Sequence, residues 1–286
     1  MRTQTADQIG VCSWSLQATG PGDLAEKVKK LGLKKVQLGL TPHRDDPGTW
    51  EGTQQILGAA GISVVSGMFS TIGEDYSTPQ AIRETGGIVP DRHWEGNKSI
   101  SQAAADLARQ MGVKLVSTHA GFLPHEPSDP DFDKLSGRVA ELARMYSAIG
   151  GSLLLESGQE SADTLLMFLG EMAKRGVKNV TVNFDPANMI LYDMDEPIEA
   201  LRKLAPYVQQ VHVKDAKRTT VKGQWGEEVV VGTGQVDWVA FVRILAENDY
   251  AGDYIFEREA GDDRIGDISK GIATLKAAMA AVSSQA

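Results

Sequence analysis

Short apolar runs of four to seven residues recur along the chain, each followed by a longer stretch whose apolar positions fall three and four apart. The short runs predict strands over 9–13, 35–39, 62–68, 114–118, 152–155, 179–184, 209–213 and 253–256. Most are continuously apolar rather than alternating, the pattern of strands covered on both faces. The longer stretches predict helices over 23–31, 100–111, 133–149, 161–174, 196–204, 237–247 and 266–282; in the first, Leu24, Val28 and Leu31 share a face.

Gly32, Gly61, Gly112, Gly150 and Gly176 each stand between a helical stretch and a strand, where a helix commonly ends through a left-handed residue. Eight strands alternating with helices predict a single (β/α)8 TIM barrel occupying one domain over 1–286. A doubly wound sheet is the alternative. That fold carries a glycine-rich turn after its first strand, and CSWSLQATGPGD contains no GxGxxG. Two long connections, 69–98 and 214–236, leave the C-terminal ends of the third and seventh strands, the end where barrel enzymes build their sites.

Charge narrows the partners. Lys and Arg number 29 against 38 Asp and Glu, a net −9, which argues against nucleic acid because phosphate neutralisation needs a basic face. One cysteine, Cys12, excludes a disulfide framework or a CxxC zinc site and reads as a small core residue. No apolar run is long enough to span a membrane, and MRTQTADQIG lacks a signal core, so a cytoplasmic protein is expected.

On this strand reading, Glu156 ends the fifth strand, Asp185 ends the sixth, His212 lies late in the seventh and Glu257 ends the eighth. Four adjacent strands then aim three carboxylates and one imidazole at a common point on the rim. With the imidazole neutral the set carries −3, which repels itself and drives protons onto its members. A divalent cation brings the sum to −1. Oxygen-rich donors with one imidazole favour Mn²⁺ or Mg²⁺, with Zn²⁺ left open. Each residue also has a local alternative: Asp185 before Pro186 suits a helix cap, Glu156 could face a lysine, and a lone histidine is commonly a core residue.

The pattern resembles the xylose isomerase-like barrel superfamily, and within it the sugar phosphate isomerase/epimerase group of ketose 3-epimerases, inosose dehydratase and hydroxypyruvate isomerase. The resemblance spans nearly the whole chain. It is carried by ESGQE (156–160), NFDPAN (183–188), QVHVKDAKR (210–218), GTGQVDW (232–238) and FEREAGD (256–262). It implies a metal held by Glu156, Asp185, His212 and Glu257, with Glu156 and Glu257 also acting as acid and base on opposite faces of a sugar. One removes a proton alpha to a carbonyl, the ion stabilises the enediolate, and the other returns a proton. Many members carry a histidine three residues after the sixth-strand Asp. Here that position is Asn188, which can hold a hydroxyl but cannot take up a proton near neutral pH. The histidine-rich trinuclear zinc site of the related DNA-repair branch is a poor match for a chain with five histidines.

Further candidates surround that centre. His119 closes the fourth strand and would face the rim as a substrate contact or proton carrier; the alternative is a buried histidine with a backbone partner. Trp14, after the first strand, could form an apolar wall against a sugar. His93 and Trp94 could belong to a lid or sit on the surface. Lys214, Lys217, Arg218 and Lys222 offer a site for an anionic or polyhydroxyl substrate, with Lys214 and Arg218 nearest the ion, or else a solvated loop. The GTG at 232–234 could cradle a phosphate or simply feed the cap Asp237. Glu160 suits the start of the helix after the fifth strand, with a supporting role at the site as the alternative.

The expected activity is a metal-dependent sugar isomerase or epimerase acting through an enediolate on a small sugar or sugar derivative. A lyase, dehydratase or keto-glycoside-cleaving enzyme on the same site is the alternative, followed by a non-catalytic sugar-binding protein. A homo-oligomer stays open.

Overall fold

The computed structural model describes residues 1–285. Eight parallel strands close on themselves: β1 (Ile9–Cys12), β2 (Lys35–Gly39), β3 (Ser63–Met68), β4 (Leu115–Thr118), β5 (Ser152–Glu156), β6 (Val180–Phe184), β7 (Val208–Val213) and, after a hairpin of β8 (Asp215–Lys217) and β9 (Glu227–Val229), β10 (Tyr254–Phe256). Pairing runs β1-β10-β7-β6-β5-β4-β3-β2 and back to β1, a TIM barrel with no free edge. That closure excludes the doubly wound sheet.

Between the strands lie α1 (Pro21–Lys30), α2 (Thr41–Asp45), α3 (Thr53–Ala59), α4 (Pro79–Thr85), α5 (Trp94–Met111), α6 (Phe132–Ser147), α7 (Ala162–Lys174), α8 (Pro186–Leu191), α9 (Pro197–Leu204), α10 (Trp238–Glu247) and α11 (Arg264–Ser283). Their apolar faces pack on the strands' outer surface: Leu24 and Val28 of α1, Phe168 of α7 and Phe241 of α10 join Val11, Val182 and Val211 in one buried cluster. Fixed φ at Pro21, Pro79, Pro186 and Pro197 starts four of the helices. The five glycines between helix and strand all adopt positive φ, between 66° and 79°, where any other residue would be strained.

The short helices were not expected. The 69–98 connection folds in part into α4 and the first turn of α5, and the 214–236 connection into the β8–β9 hairpin. Such segments are too brief to show a helical period, and the hairpin is three residues on each side. No helix among the described residues is long and apolar enough to cross a membrane.

Two register irregularities bear on the site. Pairing shifts between Val36 and Gln37 on β2, and between Val182 and Asn183 on β6. Irregularities of this kind re-aim side chains. Gln37 on β2, Ser117 on β4, Asn183 on β6 and Gln210 on β7 are all buried polar positions within the barrel strands.

Candidate metal centre and active site

β5, β6, β7 and β10 are consecutive neighbours, so their C-terminal ends form one arc of the rim. Glu156 and Glu257 stand at the ends of that arc, with Asp185 and His212 between them. One donor atom from each of the four lies within 4.8 Å of the others, and all four residues are buried. His212 Nδ1 is 3.3 Å from Glu156 Oε1, 3.4 Å from Glu257 Oε2 and 3.7 Å from Asp185 Oδ2.

His212 Nδ1 and Asp185 Oδ2 are buried without any hydrogen-bond partner. Such atoms are costly unless something fills the space between them. Three carboxylate oxygens and an imidazole nitrogen at this spacing fit a hard or borderline divalent cation. Asp185 serves both expected roles through different atoms: Oδ1 caps α8 by accepting from Ala187 N (2.8 Å) and Asn188 N (3.0 Å), leaving Oδ2 toward the cluster.

The carboxylates dictate the electrostatics. Burial disfavours a charged His212, but Glu156 and Glu257 outweigh it and raise its pKa well above 6.5. Burial pushes Asp185 up to about 6. Glu257 is moved the other way: burial would raise it, yet Lys214 and His212 hold it well below the usual carboxylate range. In Glu156 burial is likewise outweighed, by His212 and His119, and the pKa falls.

Each of the paired groups is held from behind. Asn188 Nδ2 donates to Glu156 Oε1 at 3.0 Å, and Asn183 Nδ2 donates to Oε2 at 3.3 Å. Gly158, at φ 133°, lets Asn188 approach, because a Cβ there would sit 2.3 Å from that residue's own Cβ. Trp14 Nε1 donates to Glu257 Oε1 at 2.8 Å, and Lys214 Nζ to Oε2 at 2.9 Å. Gln37 Oε1 stands 2.7 Å from His212 Nε2 and accepts from it in the tautomer that leaves Nδ1 facing the carboxylates.

Above the cluster opens a cleft of about 770 Å³, lined among others by Trp14, His119, Asn188 and Lys214. His119 Nε2 is 3.9 Å from Glu156 Oε1, and its Nδ1 is buried without a partner. Burial opposes a charge on His119, but Glu156 and Glu74 outweigh it and move the pKa up.

Arg218 does not join them. Its guanidinium pairs with Asp193 Oδ1 at 2.7 Å and the Asp195 carbonyl at 2.7 Å, because the β8–β9 hairpin turns the side chain away from the cleft. Lys217 and Lys222 also lie off the lining. The GTG turn is no phosphate cradle either. Asp215 Oδ2 accepts from Gly232 N (2.9 Å), Gly234 N (3.2 Å) and Trp238 Nε1 (3.1 Å), so the chain supplies its own anion. Trp94 packs under the Arg138 guanidinium, 5.0 Å from its ring centroid, and His93 accepts from Arg92; neither lines the cleft. Glu160 is buried and accepts from Leu123 N at 3.2 Å. Cys12 is buried as expected, its Sγ 3.7 Å from His212 Nε2.

Several lining residues escaped the sequence reading: Glu74, Tyr76, Tyr192, Trp225 and Glu259. Trp225 Nε1 donates to the Tyr76 carbonyl at 3.0 Å. This bond joins the loops after β3 and β7, which lie four strands apart and hence on opposite sides of the barrel. Tyr192 packs edge-on against Trp225 at 4.7 Å.

A family model described as xylose isomerase-like TIM barrel matches residues 25–278. A solved xylose isomerase domain protein from Planctomyces limnophilus is 33% identical, with TM-score 0.87 over 97% of this chain and 99% of that one. A structure of L-ribulose 3-epimerase superposes with TM-score 0.74 over 97% of this chain and 96% of that one at 18% identity, a likeness of fold alone. The uncharacterised Escherichia coli protein YihM is 28% identical over 158 residues, 54% of this chain; the match spans about half, 47%, of that relative's length.

Proposed function

We propose that this chain, which belongs to the xylose isomerase-like TIM barrel family, is a divalent-metal-dependent sugar isomerase or epimerase that works by removing a proton alpha to a carbonyl. The carrying observation is the buried four-residue cluster with two unpartnered donor atoms facing one another, bracketed by two glutamates at the floor of an open cleft. Glu156, Asp185, His212 and Glu257 would hold the ion, with Mn²⁺ or Mg²⁺ favoured by the donor set. When bound, it would supply positive charge where the enediolate oxygens become negative.

The chain's own groups do the rest. Glu156 and Glu257 approach from opposite ends of the arc and serve as acid and base. Asn188 and Asn183 orient Glu156, while Trp14 and Lys214 orient Glu257. Asn188 also reaches the cleft, where its amide can hold a hydroxyl. The L-ribulose 3-epimerase likeness fits this chemistry.

A second reading, elimination by a lyase or dehydratase, draws on His119. This titratable imidazole lies beside Glu156 and lines the cleft, so it could protonate a leaving group.

Solvent-exchange NMR separates the outcomes. Metal-loaded protein incubated with keto-sugars in deuterium oxide should place deuterium alpha to the carbonyl, and Glu156→Gln or Glu257→Gln should slow this by about 10² or more. In a parallel incubation in ordinary water, product of unchanged mass marks isomerisation or epimerisation, whereas loss of water or an aglycone marks elimination. Undiminished activity after exhaustive chelation, or binding with no exchange on any keto-sugar, would refute the proposal.

A further inference from the structure

The cleft is unsuited to a phosphorylated sugar. Glu74, Glu156, Glu228, Glu257 and Glu259 line it, and Asp185 lies beneath. Among the described lining residues Lys214 is the one lysine, and no arginine is present. Lys214 is buried and already committed, its Nζ 2.9 Å from Glu257 Oε2 and 2.7 Å from Glu259 Oε2. The other nearby cations are spent elsewhere, Arg218 on Asp193 and Arg258 on Glu228 at 2.8 Å and Asp267 at 3.1 Å. Even with a divalent ion in the cluster, Lys214 and a protonated His119, six carboxylates outnumber the available positive charge. A phosphate dianion would meet like charge and find no bidentate partner. The GTG turn, the other candidate phosphate site, is filled by Asp215.

The cleft is also larger than one sugar ring requires. Its volume of about 770 Å³ lies in the upper part of the range for drug-sized ligands. Its aromatic side chains form separate groups. Trp14 is tied to Glu257 at the reacting end. Trp225 and Tyr192 pack together on the β7 side, and Trp50 lines the wall from the connection after β2. Aromatic faces suit the C–H-bearing face of an uncharged sugar ring.

We infer that the substrate is an uncharged saccharide of at least two units, a keto-glycoside or keto-disaccharide. Its oxidised ring lies over the Glu156–Glu257 pair, and its second unit lies against Trp225 and Tyr192. This rests on the proposed function for the role of the oxidised ring. The charge and size of the ligand follow from the lining alone.

The test uses three probes on the metal-loaded full chain: fructose, fructose 6-phosphate, and a neutral glucose disaccharide oxidised to a ketone at one secondary hydroxyl. Calorimetric binding and deuterium exchange are both read. The expected result is a preference for the disaccharide over fructose of about tenfold or more in affinity, and for either neutral probe over the phosphate of about 100-fold. Trp225→Ala should erase most of the disaccharide-over-fructose ratio, whereas Trp225→Phe, which keeps an aromatic face but loses the N–H, should retain it. Phosphate binding as tight as fructose, or a disaccharide bound no tighter than fructose, overturns the inference whether or not any probe exchanges. Binding in the expected order without exchange on any probe would leave the inference standing and refute the enediolate chemistry instead.

Discussion

Gln37 offers the sharpest test of how the cluster is held. Its amide oxygen is 2.7 Å from His212 Nε2, its amide nitrogen donates to Ser117 Oγ at 2.9 Å, and both Gln37 and His212 are fully buried. Gln37 Oε1 lies closer to Nε2 than Asn183 Nδ2 does (2.7 against 3.1 Å), so when a bound cation makes the imidazole neutral the proton belongs on Nε2 and the Nδ1 lone pair faces the space shared with Glu156, Asp185 and Glu257. Gln37→Leu removes the acceptor while roughly keeping the volume. Partners of this kind are worth about 10–100-fold in metal affinity, which converts to about 1.4–2.7 kcal/mol. A stranded Nε2–H in a dry site costs about 1–3 kcal/mol, a similar size. Gln37→Glu restores an acceptor with a formal charge and should bind metal at least as tightly as the parent. The assay is equilibrium competition for Mn²⁺ against a chromophoric chelator at fixed pH, with circular dichroism confirming that each variant is folded. A folded Leu variant with parental affinity, or Leu and Glu variants weakened equally, would refute the assigned orientation of His212.

Three further outcomes can be checked directly. Adding Mn²⁺ or Mg²⁺ at about 100 times Kd to chelated protein should stabilise the fold by about 2.7 kcal/mol, read as a rise in melting temperature that Asp185→Asn abolishes. Burial lifts the Glu160 carboxyl from 4.5 to about 8, so the folded chain keeps a proton that the unfolded chain sheds. The Glu160 contribution to stability should therefore fall as pH climbs from 4.5 to 8, by about 5 kcal/mol at most, and Glu160→Gln should make the slope shallower in melts across the window. Asp215→Asn turns an amide toward backbone donors that its carboxylate now satisfies, and should cost about 3 kcal/mol or more in urea unfolding, with the β8–β9 hairpin exchanging its amides fastest.

The barrel was legible because parallel strands buried on both faces must be apolar runs, and because positive-φ glycines punctuate the helix ends. The four cluster residues were legible for a related reason: carboxylates close three apolar strands, with His212 late in the strand between two of them, and that joint placement is hard to explain by local roles such as the helix cap Asp185 also supplies. Gln37 and Asn183 were not, since a polar residue inside a strand looks the same whether it points into the barrel or out of it, and the register shifts that orient them leave no local trace. Arg218 misled because spacing along the chain says nothing about which way a hairpin turns its side chains. Glu74 and Trp225 come from connections about 150 residues apart, and no periodicity relates them.

The bond from Trp225 to the Tyr76 carbonyl sets an energy scale for traffic through the mouth of the barrel. A single neutral hydrogen bond at a wet rim is worth about 0.5–1.5 kcal/mol. Taken alone, that leaves the strap undone between roughly a tenth and a third of the time at room temperature. Loops held so loosely open on nanosecond-to-microsecond timescales, far faster than ordinary turnover at about 10 per second. Entry and departure of a sugar would therefore reach equilibrium many times within each catalytic cycle. If the proposed proton abstraction holds, opening of this strap would not itself limit turnover, and a primary deuterium isotope effect on turnover would not be masked by it.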